Sequence, residues 1–341
     1  MKKILFTILC AGAVMSCAKD EVITAEQEAI TFENAFVDNA TKALDGYTVN
    51  TGNLTSFNVW GTTQMPSEVG EPAKPIVPIF GEVAVSLNGT AWTYGAAYTQ
   101  YWIPDNHYEF AAAKNYKAGS TVLVDGLPST FAYEAASQAD LIYAYAEADG
   151  KTTGNNDEVS FTFDHLLSKA YFTVKNDMSA ENANYSYRIS NLAINNAVVK
   201  GTYTIATGTW ATDGEYSLSF GNVNGLADAT DAAAIKIPAN KVYTSHYSRL
   251  LIPAEYKGAN KLNITCTIET LYGDSVIDVE NYDRDIEFTF VKGHAYNFIL
   301  TLQNPGDVIK FKVEAVNEWI TDHDGDGVSG DEDDLPNMDN Q

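Results

Sequence analysis

The spacing that most resembles a chemical site lies near the C-terminus. Asp322-His323-Asp324-Gly325-Asp326-Gly327 supplies positions 1, 3, 5 and 6 of a calcium loop, and Asp333 falls at position 12. Alternate carboxylates on a tight turn converge on one hard cation, and Gly at position 6 permits the bend. Asp333 has a shorter reach than the Glu usual there, and no helix pattern flanks the loop. Calcium held by Asp322, Asp324, Asp326 and Asp333 therefore stands beside a plain reading, a solvated acidic tail. Asp164, His165 and Ser168 are hydrolase residue types. No Gly-x-Ser-x-Gly elbow or Gly-rich phosphate loop accompanies them, so a packing role is expected. The five histidines (107, 165, 246, 294, 323) lack any zinc-ligand spacing. No residue is assigned a catalytic role, and the chain is not expected to be an enzyme.

At the other end, Met1-Lys2-Lys3 is a short basic segment and Ile4 to Met15 a small apolar one. That combination reads as a cleavable export signal. It ends in Val14-Met15-Ser16-Cys17, which resembles a bacterial lipobox, so Cys17 is expected to be acylated and to become the mature N-terminus. More than one acyl chain on Cys17 suffices for stable attachment to the outer membrane. Lys19, Asp20 and Glu21 follow at once and resemble a signal for export to the cell surface. Residues 1–16 carry two Lys and no acid, so their removal takes the net charge from -24 to -26. Cys266 is then the remaining thiol, and its strand-like surroundings predict a buried, inert side chain.

The elements between these ends must be strands. The chain has 341 residues, more than one core usually holds, so two domains are expected. With 45 acidic against 21 basic side chains, nucleic acid is excluded as a partner, because phosphate binding needs clustered Lys and Arg. Period-two alternation dominates, as in Ser56-Phe57-Asn58-Val59-Trp60 and Leu262-Asn263-Ile264-Thr265-Cys266. Turn signals such as Val124-Asp125-Gly126 and Tyr272-Gly273-Asp274 separate the runs. This is an all-β pattern, read as two tandem β-sandwich domains. The best helix candidate is the Ala-rich Ser129 to Ala148. The Pro-rich stretch 64–78 reads as an excursion between strands. Trp60, Trp92 and Trp102 alternate with polar residues and are expected in the core, rather than forming a sugar-stacking platform. The expected organisation is a leader (1–16), a lipidated linker (17–27), an N-terminal domain (28–156), a C-terminal domain (157–320) and an acidic tail (321–341). The tail carries eight acids and no base.

Several stretches, in order, resemble one family. They are Ile30-Thr31-Phe32 with Ala40-Thr41-Lys42-Ala43, Trp92-Thr93-Tyr94 leading to Tyr101-Trp102 and Tyr108-Glu109-Phe110, and Phe163-Asp164-His165-Leu166-Leu167-Ser168-Lys169-Ala170. Gly201-Thr202-Tyr203 with Trp210 and Gly293-His294-Ala295-Tyr296-Asn297-Phe298 complete the set. With the leader, they resemble the fimbrillin family, the subunits of type V pili and their relatives. The resemblance implies transthyretin-like sandwiches, export as a lipoprotein, proteolytic removal of the first strand, polymerisation by strand exchange, and adhesion at the cell surface. Partners would be other fimbrial subunits and surface ligands of host or bacterial cells. Residues 28–36 fit the removable plug, with Ile30, Phe32 and Phe36 expected on one face. Lys42 is the basic residue in the polar segment that follows; the family's best-known members are cut after Arg, whereas the first Arg here is Arg188. Near the C-terminus, Ile309, Phe311 and Val313 alternate as a donor strand should. The acidic tail departs from a polymerising subunit, since its charge opposes insertion into an apolar groove. A monomeric, surface-exposed glycan-binding lipoprotein is the alternative reading.

Overall fold

Alternating apolar residues become strands almost everywhere that the structure describes. The computed structural model describes residues 28–37, 49–151, 156–223, 234–244, 248–306 and 309–316. In chain order the first strands are β1 (Phe32–Val37), β2 (Ser56–Gln64), β3 (Ile76–Asn88), β4 (Ala91–Tyr94), β5 (His107–Lys114), β6 (Val122–Val124), β7 (Leu127–Glu134), β8 (Ile142–Asp149) and β9 (Val159–His165). Next come β10 (Ser168–Asn176), β11 (Tyr185–Val198), β12 (Lys200–Thr204), β13 (Thr209–Thr212), β14 (Glu215–Gly221), β15 (Ile237–Pro238), β16 (Lys241–Thr244) and β17 (Arg249–Leu251). The last are β18 (Glu255–Tyr256), β19 (Leu262–Tyr272), β20 (Ser275–Ile286), β21 (Phe288–Thr289), β22 (Ala295–Leu302) and β23 (Lys310–Val316). Among the described residues the only helices are single 3-10 turns, at Ala96–Tyr98, Ala135–Ser137 and Ala180–Asn182. The protein is all-β, as expected.

The first unit is not a pair of open sheets. Its strands close into a seven-stranded barrel in the order β1-β4-β3-β2-β5-β8-β9, which removes free edges. The second unit does face two sheets together: β16-β10-β22-β23, with β17 beside β10, and β14-β11-β19-β20, with β15 beside β11. A third sheet, β13-β12-β7-β6, joins strands from both halves of the sequence.

The boundary expected at residue 156 does not separate the sheets. β9 pairs with β8 and β1 in the barrel, and the polar stretch after Asp149 is the connection from β8 to β9. Gly- and Asn-rich composition marks a solvated turn as well as a linker. The barrel core runs from Ile30 to Phe163 and the second core takes over at Leu166, while also enclosing Trp60, Phe131 and Tyr133. Ser129 to Ala148 is not helical either. It forms most of β7, a 3-10 turn and β8, because Phe131 and Tyr133 alternate inward with a period of two. The Pro-rich stretch does link two strands, β2 and β3, and Trp60 and Trp102 are buried. Asp125 and Gly126 both take positive φ (51° and 93°), the pairing that a tight β6–β7 hairpin requires.

Candidate functional site

The first strand is built into the barrel on both sides. β1 runs parallel to β9, with Phe32 opposite Val159 and Val37 opposite Phe163. On its other flank Phe32 meets Trp92 of β4 in antiparallel pairing, and Ala29 bridges Tyr101. Backbone hydrogen bonds continue this seam: Ile30 N donates to Gln100 O at 2.9 Å, Trp102 N to Glu28 O at 2.9 Å and Val159 N to Thr31 O at 2.8 Å. The Tyr94 hydroxyl donates to Ile30 O at 2.5 Å, and burial raises its pKa above the ordinary phenol range. At the strand's entry, Glu28 Oε2 accepts from the Asn156 backbone N–H at 2.8 Å and from its side-chain amide at 2.9 Å. The first of these bonds, then the second, holds the Glu28 carboxyl below its usual range.

Phe32 fills a socket of aromatic rings. Its centroid lies 5.6 Å from Phe80, 5.6 Å from Tyr94, 5.8 Å from Phe161 and 6.3 Å from Phe110. These contacts, tilted to Phe80, edge-on to Tyr94 and Phe110 and stacked on Phe161, add to the area that burial removes from water. Gly61 of β2 lies under the socket. A Cβ there would come within 2.9 Å of Phe80 and 3.0 Å of Phe110, so the rings fit because this position has no side chain. Ile30 and Phe32 are buried, as the sequence pattern predicts.

Phe36 is not on that face. It is 51% exposed, while Ala35 and Val37 are buried. From Glu33 to Phe36 the strand advances three residues against two on β9, a bulge centred on Asn34, whose φ is 44°. One extra residue reverses the alternation beyond it, and Asn tolerates the left-handed conformation better than most residues.

The C-terminal strand is held differently. β23 pairs antiparallel with β22 over seven rungs, from Thr301 opposite Lys310 to Ala295 opposite Val316, and ends its sheet on the other side. Ile309, Phe311 and Val313 are half-buried against the second core, and Lys310 and Lys312 face out. Phe311 lies 6.1 Å from Phe298, and the Arg284 guanidinium covers its ring at 5.6 Å. The expected donor strand is thus an edge strand with one apolar face.

The profile of the fimbrillin-like family matches residues 41–319. The chain belongs to that family. No curated protein matches it significantly. Among solved structures, a fimbrial protein from Bacteroides vulgatus ATCC 8482 is similar in fold, with a TM-score of 0.61 at 15% identity, covering 86% of this chain and 99% of that one. A Bacteroides ovatus ATCC 8483 protein named for a suggested role in cell adhesion gives 0.47 at 16% identity, covering 86% and 98%. A fimbrial assembly protein from Parabacteroides distasonis ATCC 8503 gives 0.40 at 13%, covering 85% and 97%. Fimbrillin-like membership points to a structural role rather than catalysis.

In this fimbrillin-like chain, the hydrolase-type residues have structural partners. His165 Nδ1 lies 2.8 Å from Asp140 Oδ2, with both side chains buried. That same Asp140 oxygen accepts from Val49 N at 2.9 Å, tying down the backbone ahead of β2. Ser168 Oγ donates to Val291 O at 2.7 Å, and Asp164 pairs with Lys292 at 3.7 Å. Cys266 is buried, and burial followed by the nearby Glu280 pushes its thiol up to about 12. Cys17, Lys19, Asp20, Glu21, Lys42, Asp322, Asp324, Asp326 and Asp333 lie outside the described residues. The aromatic socket and the Asn156 clamp on Glu28 were not anticipated from sequence. Their residues come from five separate segments, and period-two alternation marks each ring only as inward-facing.

Proposed function

We propose that the chain is a structural or accessory subunit of cell-surface fimbriae, exported as a lipoprotein and assembled by strand exchange in support of adhesion. The observation that carries this reading is the placement of β1 between β4 and β9. Removing that strand would leave an apolar trough floored by Phe80, Phe110 and Phe161, with unpaired backbone groups on both walls. A trough of that kind is a template for a strand from another chain. β23, an edge strand with one apolar face, is the donor in this proposal, and other subunits are the partners.

Release of β1 needs a cut between Val37 and Val49, and Lys42 is the basic residue there. The Asp140 bond to Val49 would keep the new N-terminal segment seated after the cut. The acyl group on Cys17 anchors the precursor in the outer membrane, and Lys19, Asp20 and Glu21 direct it to the outer face. The tail's charge opposes insertion into an apolar trough, which favours a terminal, anchor or accessory position over a stalk position. Calcium at Asp322, Asp324, Asp326 and Asp333 would relieve that charge, at an affinity of roughly 10⁻⁴ to 10⁻³ M typical of extracellular modules.

Treating the purified protein with a Lys-specific protease tests the assembly. Cleavage at Lys42 should give SDS-gel ladders, and Lys42→Ala should give none. Complete cleavage without ladders would sink strand exchange and leave the monomeric glycan-binding lipoprotein. For the anchor, metabolic lipid labelling of Cys17→Ala should find no labelled protein.

A further inference from the structure

The outer face of the barrel gathers metal-ligating groups that no sequence spacing reveals. β5 and β8 pair with His107 opposite Asp149 and Glu109 opposite Glu147. One ligand atom from each of His107, Glu109 and Glu147 lies within 4.8 Å of the others. His107 Nδ1 is 2.8 Å from Asp149 Oδ1. With Nδ1 donating to that carboxylate, the other ring nitrogen keeps its lone pair, the arrangement that orients imidazole ligands in metal sites.

The two glutamates share one proton donor. The Tyr145 hydroxyl reaches Glu109 Oε1 at 2.7 Å and Glu147 Oε1 at 2.8 Å, and it has a single hydrogen to give. Partial burial and these two carboxylates push the Tyr145 phenol well above its ordinary range. Among the described residues, no Lys or Arg forms an ion pair with either glutamate. Like charges directly opposite each other across a ladder are destabilising unless something compensates them.

We propose that His107, Glu109 and Glu147 bind one divalent cation of the zinc class on the outside of the barrel, with Asp149 and Tyr145 positioning the ligands. An imidazole with two carboxylates suits a borderline cation that accepts three protein ligands and leaves a position open. Calcium would need six or more oxygens, and the outer face of this ladder does not supply them. Both strands also anchor the site from beneath, since Tyr108, Phe110 and Ala144 are buried in the barrel core. The ligands thus project from a rigid ladder rather than a loop.

The test is a zinc chloride titration of chelator-treated full-length protein, by calorimetry and by thermal melting. Wild type should take up one zinc per chain and melt higher with it. His107→Ala and Glu147→Gln should each weaken binding at least tenfold, and the double variant should lose the zinc-dependent rise in Tm. Without metal, Glu147→Gln should melt no lower than wild type, because it removes a repulsion. Zinc uptake by the double variant equal to that of wild type would place the ion elsewhere, the acidic tail included, and overturn the proposal. Absence of uptake by wild type, or displacement of the zinc by equimolar calcium, would overturn it as well.

Discussion

β1 and β23 are both short, apolar-faced strands near a chain end, yet the fold holds them in opposite ways. β1 has a neighbour on each side, a fully buried face and a socket of four rings around Phe32. Among the described residues β23 has one neighbour, and its apolar side chains are only partly buried. Burying a large apolar side chain completely stabilises by about 1.5–3 kcal/mol. Ile30, Phe32 and Val37 together therefore tie β1 more firmly than Ile309, Phe311 and Val313 tie β23. A strand like β1 leaves on a useful timescale only when the covalent chain is cut, whereas a strand like β23 can peel from its sheet by local opening. If the proposed strand exchange operates, this contrast is why a cut would be needed to release β1 and not to free β23.

Substitutions can break that contrast. Phe32→Ala should be the most damaging, about 3–5 kcal/mol by urea unfolding, because the rings around it cannot collapse into the space. Phe311→Ala should cost less, about 2–3 kcal/mol, since its ring is only partly buried on an edge strand; equal losses at the two positions would erase the distinction between the strands. Asn34→Val should cost about 1–2 kcal/mol, because a β-branched residue resists the left-handed conformation of the bulge. Phe36→Ser should change stability by no more than about 0.5 kcal/mol, and a large loss there would mean that the side chain faces inward. Smallest of all is a pH effect at the mouth of the strand. Glu28 is held below its ordinary range, so its tie to Asn156 is complete above the unfolded carboxyl value and is lost as pH falls through the lower folded one. Amide hydrogen exchange at Asn156, corrected for intrinsic rates, should show that loss, and Glu28→Gln should abolish the pH dependence.

Much of this was legible in the sequence, for reasons that particular residues make plain. Alternation identified the strands, the inward placement of Ile30 and Phe32, and the half-buried face of β23. Phe36 was misplaced because a bulge depends on the backbone at Asn34, and hydrophobic pattern alone carries no mark of it. The change of core falls at Phe163 to Leu166, about ten residues after the expected boundary at 156, because β9 still alternates into the barrel and polar composition does not show which core a strand joins. The Ala-rich stretch Ser129 to Ala148 stood as the best helix candidate on composition, although Phe131 and Tyr133 already alternate. His107, Glu109 and Glu147 escaped notice because their proximity arises from strand pairing across about forty residues, and ligand-spacing rules look along the chain.

The pairing of β1 has a directional consequence. It lies parallel to β9 and antiparallel to β4, so its two neighbours run in opposite senses. Any strand in that slot, pointing either way, meets one neighbour head-to-head and the other head-to-tail. Strand sense alone therefore does not distinguish the two orientations, each of which has one parallel and one antiparallel neighbour. The order of side-chain volumes along the trough does distinguish up from down: a ring-sized socket at one end, then the smaller sites that Ala35 and Val37 fill. A chain of such subunits would take its polarity from a gradient of pocket size.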